Sequence, residues 1–197
     1  MWHMMIRYQI LVLLFIMSSY AVFSQSEKKT VLSLSYGMGI DVLDFGRAHS
    51  LNATLNHDNM LLVYRYLNGK SNHRRGFRGG SIGFGGVDLY PIRRIESQAL
   101  MVGLRFWERL NVTIGASYTC GVTEGETITS YSSGWFTTTY VYAEEIYYTA
   151  IGLAYGISSK LKDFDDGFYG IELFTEGEWN PYVFYNHTGF RIFINLN

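Results

Sequence analysis

The sequence predicts an all-β protein, a closed antiparallel up-and-down transmembrane β-barrel of eight strands. Three observations indicate this fold. Apolar and small polar residues alternate with a period of two along most of the chain. The polar face of that alternation carries almost no charge, and the connecting segments alternate between long and short. The composition agrees, because two prolines, 21 glycines and 16 tyrosines are typical of an all-β chain.

Residues 110–120, "LNVTIGASYTC", show the alternation most clearly. One parity runs from Leu110 to Cys120 and is apolar, while the other runs from Asn111 to Thr119 and is small and uncharged. Residues 60–67 are apolar on both parities except at Arg65. No helical period of useful length occurs. The eight predicted strands are 30–40, 49–56, 60–67, 98–107, 110–120, 147–157, 168–176 and 189–197.

The connections divide into two sets. The longer set comprises 41–48, 68–97, 121–139 and 177–188; the shorter set comprises 57–59, 108–109 and 158–167. In an eight-stranded meander the two sets lie at opposite ends. Short turns on the periplasmic side and long loops outside are typical of outer-membrane barrels.

Two segments leave the number of strands open. Residues 81–90 could form two more short strands, which gives ten, or a hairpin standing on the outer loop. Residues 126–142 are interpreted as two strands that continue past the membrane and meet at "SSG". We favour eight strands in the barrel.

The polar face decides which side of the barrel is wet. A soluble surface normally carries charges on about a quarter to a third of its residues, and this face carries almost none. Small residues fit a narrow interior instead, so the apolar parity is expected outside, against lipid. The alternative is a soluble secreted or periplasmic barrel that binds a small apolar ligand, which would have an apolar interior and a charged exterior.

The N-terminus has the pattern of a secretory signal peptide. Arg7 precedes the apolar run "ILVLLFIM", and small residues follow near 22–25. We therefore expect a signal peptide at 1–25 and one barrel domain at 26–197. The near balance of 16 basic and 17 acidic residues argues against a nucleic-acid partner. Cys120 is the single cysteine, so an internal disulfide is excluded.

Together with the signal peptide, the segments "TVLSLSYGMGI", "SLNATLNHDNMLLVYRYL", "ALMVGLRFWERLNVTIGASY" and "GFRIFINLN" resemble small eight-stranded outer-membrane barrel proteins of Gram-negative bacteria. The resemblance covers residues 30–197. It implies an outer-membrane location, a structural, adhesive or surface-interaction role, and a monomer in contact with outer-membrane lipid, including lipopolysaccharide, and with the barrel-assembly machinery. Many such barrels end in an aromatic residue, whereas this chain ends in Leu196-Asn197.

Charged residues on the lumenal parity are the first candidate site. Parity places Arg105, Glu172 and Arg191 inside, together with Arg65. Glu144 or Glu145 is expected inside as well, near the outer end. Because charge in a narrow lumen is costly unless it is paired, we expect an Arg–Glu network that plugs the barrel. Such a network could serve packing alone, or it could form a gate or narrow pore.

A basic segment is the second candidate. On the long connection 68–97, Lys70, Arg74, Arg75 and Arg78 could bind lipid or polyanion phosphates, since arginine binds phosphate in a fork. The alternative is a solvated loop that pairs with nearby acids. Those acids would be Glu124, Glu126, Glu176 and Glu178.

Catalysis is the third candidate, because small barrels can be lipid-modifying enzymes. Such an enzyme needs a nucleophile and a base within hydrogen-bond reach. His49 and Ser50 are adjacent and therefore point to opposite faces of a strand. The sequence has no metal-ligand spacing and no nucleotide motif. We predict a protein without enzymatic activity, catalytic residues, metal or cofactor.

Overall fold

The computed structural model describes residues 30–41, 46–70, 77–79, 85–89, 94–107, 109–132 and 138–196. The predicted signal peptide and its cleavage site lie outside these residues. The described chain is almost entirely β-strand, with one short 3₁₀ turn at Asp165–Gly167. The strands are β1 (Thr30–Asp41), β2 (Arg47–His57), β3 (Met60–Lys70), β4 (Phe77–Gly79), β5 (Gly85–Leu89), β6 (Arg94–Phe106), β7 (Leu110–Ser132), β8 (Thr138–Phe164), β9 (Tyr169–Trp179) and β10 (Phe184–Leu196).

Eight of these strands close into an antiparallel barrel, which confirms the predicted fold. Around the ring the order is β1, β2, β3, β6, β7, β8, β9 and β10, and β10 pairs with β1 again. The short strands β4 and β5 form a hairpin outside the ring, and β5 pairs in parallel with β8. A hairpin outside the ring was therefore predicted correctly, but its first strand, Phe77–Gly79, precedes the predicted segment 81–90, and only Gly85–Leu89 lies within it. Of the ten described strands, eight form the barrel.

The two ends of the barrel differ in their connections. One end, the short-turn end, carries the tight connections at 58–59, 107–109 and 165–168, and the pairing of Leu32 with Leu196 lies there. The other end, the long-loop end, carries the connections between β3 and β6 and between β7 and β8. Those two follow predicted loops 68–97 and 121–139, so the expected end for these two connections is confirmed. The other two predicted members of the longer set are short, because only 42–46 separates β1 from β2 and only 180–183 separates β9 from β10.

Two predicted connections are shorter than expected. The predicted loop 177–188 is wrong, because β9 continues to Trp179 and β10 begins at Phe184. Gly177 resembled a loop residue, but it is a strand position where the ring of Tyr155 fills the space of a side chain. The turn is closed by Asn180, whose Oδ1 accepts the backbone N–H groups of residues 182 and 183. Residues 158–164, predicted as a connection, belong to β8. The predicted continuation of two strands through 126–142 is confirmed, because β7 runs to Ser132 and pairs with β8 from Thr138 onward.

The predicted parity of the faces is confirmed. Apolar side chains of one parity lie outside and are exposed, among them Leu104, Ile114 and Leu153. The other parity lines the lumen, where Ser117 and Thr119 are buried. Residues 60–67 are apolar on both faces because their inward side chains, such as Leu61 and Leu67, contribute to the packed interior. No helix in the described part of the chain is long and apolar enough to cross a membrane.

Candidate functional site

Arg65 extends across the lumen from β3 to β9. These two strands lie four positions apart in the ring of eight, on opposite walls. The Nη2 atom of Arg65 is 2.8 Å from Oε1 of Glu178, and both side chains are fully buried. The guanidinium also donates to the backbone oxygens of Tyr155 and Gly177, at 3.2 and 3.3 Å. The side chain therefore joins three walls of the barrel.

Glu178 accepts two further hydrogen bonds from hydroxyl groups. Ser97 donates to Oε1, and Thr119 donates to Oε2 at 2.7 Å. These donors belong to β6 and β7, so the carboxylate is bonded to two more strands. A buried carboxylate is stable only when paired and hydrogen-bonded in this way.

Arg191 on β10 holds the second ion pair. Its Nη2 atom binds Oε1 of Glu176, and its Nη1 atom is 3.7 Å from Glu172. The guanidinium also lies over the ring of Phe174, 4.4 Å from the centroid, which adds a cation–π contact. Asn52 donates to Glu176 at 3.1 Å from the opposite side.

The two pairs form one chain of alternating charge, which we call the lumenal charge network. Its order is Glu178, Arg65, Glu176, Arg191 and Glu172, with the Nη1 atom of Arg65 3.9 Å from Oε2 of Glu176. Alternation lets every charge have an opposite neighbour inside a low-dielectric interior, where an unpaired one would be costly.

An apolar layer lies beyond the network toward the long-loop end. Ala48, Leu67, Ile95 and Tyr185 pack there as one buried cluster, with Val183 against it. Tyr148 also points inward and stacks on Tyr182, with their ring centroids 5.2 Å apart. These side chains therefore lie in the long-loop half of the lumen.

The other half of the lumen contains a polar cavity. It is a small cavity of about 50 Å³, and its lining includes Glu172, Glu176, Lys160 and Arg191. Arg105 lines the same cavity, where its Nε atom donates to Asn111 at 3.0 Å. All four charged residues of the predicted strands that were expected to face the lumen do lie inside the barrel. Arg105, however, bonds to asparagine side chains and does not join the ion pairs.

The amide of Asn56 completes the environment of Arg105. In the orientation that its neighbours favour, its Oδ1 accepts from Nη1 of Arg105 at 2.7 Å. Two asparagine oxygens thus hold the guanidinium at the short-turn end of the cavity.

Sequence reasoning missed two members of the network, Glu176 and Glu178. Glu176 ended the predicted strand 168–176 and Glu178 fell in the predicted loop 177–188, and both were named as possible partners of the basic segment. That assignment is wrong, because both lie on β9 and face the lumen. A signal was present: Glu172, Glu176 and Glu178 share one parity. Moreover, three arginines and only two acids were predicted inside, one of them, Glu144 or Glu145, only near the outer end, which left buried positive charge without a partner.

The histidines have separate environments. His187 was placed in a loop, but it lies on β10, fully buried, with Nε2 3.8 Å from Glu176. His49 faces outward and its Nδ1 is 2.7 Å from the hydroxyl of Tyr36. His49 and Ser50 do point to opposite faces, because Ser50 is buried in the lumen while His49 is exposed. Among the described residues, no cluster of His, Cys, Asp or Glu could hold a metal ion.

Little of the predicted basic segment lies within the described residues. Lys70 is exposed at the end of β3. Arg74 and Arg75 lie outside the described residues, and so does the side chain of Arg78, although its backbone belongs to β4. Phosphate binding by these four residues stays a prediction.

Among known proteins, the chain is similar only to solved structures. No protein-family model matches the sequence, and no curated protein matches it. The crystal structure of Ail, the attachment invasion locus protein of Yersinia pestis, is 12% identical, with a TM-score of 0.47 over 87% of this chain and 100% of that one. Ail in a phospholipid nanodisc is 14% identical, with a TM-score of 0.49 over 85% and 100%. The N-terminal barrel domain of Pseudomonas aeruginosa OprF is 10% identical, with a TM-score of 0.40 over 86% and 98%.

Proposed function

We propose that the protein is a non-enzymatic barrel embedded in the outer membrane, with a lumen plugged by Arg and Glu side chains and a surface-interaction role at its long-loop end. The observation that carries this proposal is the inverted distribution of polarity. Arginine and glutamate are buried inside the barrel, while large apolar side chains are exposed outside it. Water is a poor solvent for such an exterior, whereas hydrocarbon is a good one.

The exposed apolar side chains support lipid contact along the whole barrel. Val102 on β6 is 59% exposed, Ile151 on β8 is 77% exposed and Phe190 on β10 is 62% exposed. These strands lie on different sides of the ring, so the apolar surface continues around it. A closed barrel also leaves no unpaired strand edge within its ladder, which hydrocarbon requires.

Aromatic side chains near both ends of the barrel support the same location. Phe106, Trp107 and Tyr169 are exposed near the short-turn end. Trp179 and Phe184 are exposed near the long-loop end, on either side of the β9–β10 turn. Two belts of aromatic residues are typical of the two interfaces of a membrane barrel.

The length of two strands supports a role at the surface. A strand needs about 9–11 residues to cross a membrane, whereas β7 has 23 residues and β8 has 27. Their surplus forms a paired hairpin beyond the ends of β6 and β9. The long-loop end therefore presents a structured platform to whatever lies outside the membrane.

The contents of the lumen favour this proposal over a soluble barrel that binds an apolar ligand. Such a barrel keeps an apolar cavity inside, whereas the cavity here is bordered by Arg105, Lys160, Glu172 and Glu176. The network and the apolar layer above it would also block passage of solutes. We expect a membrane protein that does not conduct.

Reconstitution tests the proposal directly. The chain without residues 1–25 is refolded into phospholipid vesicles, and its mobility on gels is compared before and after heating. We expect heat-dependent mobility, resistance to extraction by alkaline carbonate, and vesicles that stay impermeable to small sugars. A chain that remains soluble and folded without detergent would favour the soluble barrel, and sugar release would overturn the plugged lumen.

A further inference from the structure

Three basic side chains lie side by side on the outer wall of the barrel, where the sequence pattern did not place them. The register pairs Arg47 on β2 with Lys70 on β3, and Lys70 with Arg94 on β6. All three are exposed and share the outward parity. Because neighbouring strands are about 4.8 Å apart, the three Cα atoms span roughly 10 Å. We call these three residues the basic row.

Without a bound anion, the basic row destabilises the sheet. Like charges directly opposite each other on neighbouring strands repel and destabilise a sheet. The ion pairs among the described residues involve other cations. The carboxylate of Glu96 is one step nearer the barrel centre on the same face, and it accepts the hydroxyl of Tyr66 at 2.7 Å. An anion placed between the three cations would remove their repulsion.

The surroundings of the basic row match the border between head groups and acyl chains. Ile40 lies opposite Arg47, and Val122 lies opposite Arg94, so apolar outward positions flank the row on both sides. Two steps nearer the barrel centre, Leu51 is already 52% exposed as part of the apolar belt. In the proposed membrane orientation, the row is therefore at the depth of lipid phosphates.

We propose that Arg47, Lys70 and Arg94 form a binding site for the phosphate group of a membrane lipid in the leaflet at the long-loop end. Two guanidinium groups flanking an ammonium can share the oxygens of one phosphate through charge-assisted hydrogen bonds. The flanking apolar positions contact the first part of the acyl chains. This site rests on the proposed membrane location. It differs from the predicted loop site because Lys70 binds together with two arginines on neighbouring barrel strands, and not with the arginines of the connection 68–97.

Lipid competition in nanodiscs tests the site. The full mature chain is reconstituted in phosphatidylcholine with a minor fraction of phosphatidic acid, and bound lipid is counted by native mass spectrometry. We expect the wild type to retain phosphatidic acid preferentially. The triple variant Arg47→Gln, Lys70→Gln, Arg94→Gln should lose this preference, by about fivefold in affinity for each cation removed. Free inorganic phosphate, added as a second arm, should compete weakly if the ligand is a lipid.

A charge reversal separates binding from folding. Lys70→Glu places a carboxylate between two arginines, so it should keep or raise barrel stability while abolishing retention of phosphatidic acid. Lys162→Glu, exposed at the short-turn end, changes net charge equally and should leave retention unchanged. Equal retention by wild type and Lys70→Glu in folded barrels would overturn the site while leaving the membrane barrel intact. Failure of the wild type and of every variant to enter nanodiscs would overturn both proposals.

Discussion

Arg65 and Glu178 form an ion pair from which solvent is fully excluded, with Nη2 and Oε1 2.8 Å apart. The pair connects opposite walls of the barrel. Neither side chain is exposed, so neither can form replacement hydrogen bonds with water. Its importance therefore lies in what happens when one partner is removed.

We predict that Glu178→Leu destabilises the barrel by ~3–5 kcal/mol, because it leaves the guanidinium of Arg65 buried without its closest counter-charge. The double variant Arg65→Met, Glu178→Leu should be less damaging than the single one, since it removes both charges. The measurement is urea unfolding of the refolded barrel in lipid vesicles. A single variant within about 1 kcal/mol of the wild type would mean that the pair does not hold the walls together.

The outward face gives a second prediction. Ile114→Arg and Leu153→Arg should each cost ~2–4 kcal/mol, the range for arginine at the middle of a bilayer. Leu104→Asn should also be costly because its amide finds no partner in lipid. Thr113→Asn is the control, because Thr113 lines the polar cavity. Tolerance of both Ile114→Arg and Leu104→Asn in vesicles would contradict lipid contact.

Two glycines in neighbouring strands give a third prediction. A side chain on Gly115 would meet the backbone of residues 100 and 101 on β6, which cannot move without breaking the ladder. Gly115→Ala should therefore cost ~1–3 kcal/mol through overpacking. Gly156→Ala should be milder, because its methyl group would meet the side-chain ends of Thr113 and Glu176. Both variants are compared by heat-dependent gel mobility, and equal losses would contradict this difference.

The orientation in the membrane gives a fourth prediction. In a Cys120→Ser background, Glu145→Cys lies beyond the belt on β8 and Asn59→Cys lies in a short turn; both positions are exposed. A membrane-impermeant maleimide added to intact cells should label residue 145 and leave residue 59 unlabelled. Residue 59 should react only after the outer membrane is permeabilised. The reverse pattern would place the short turns outside.

The faces of the barrel were predictable because the period of a strand is two and the belt is apolar throughout. Leu104 and Ile114 were therefore assigned outward from the sequence alone, and they lie there. The ends of the strands were harder to predict, because glycine and proline occur in turns and also within strands. Gly177 ended the predicted β9 too early, and the error removed Glu178 from the predicted lumen.

The pairing between lumenal charges was not predictable from parity. Parity places Arg65 inside but does not say which strand faces it across the barrel, because that depends on how many strands close the ring. Once eight strands close, β3 faces β9 and Arg65 meets Glu178. The basic row was missed because parity does not give the register between strands. That register is what brings Arg47, Lys70 and Arg94 side by side on three strands.

The seam between β1 and β10 sets an order of events during assembly. It joins Leu32 to Leu196, whereas the other pairs in the ring join strands that are nearer along the chain. Loop-closure entropy makes contacts between distant segments slow to form, so this seam closes last. Until then both β1 and β10 offer open edges, which invite pairing with other chains. The unfinished barrel is therefore the form most prone to pairing with other chains.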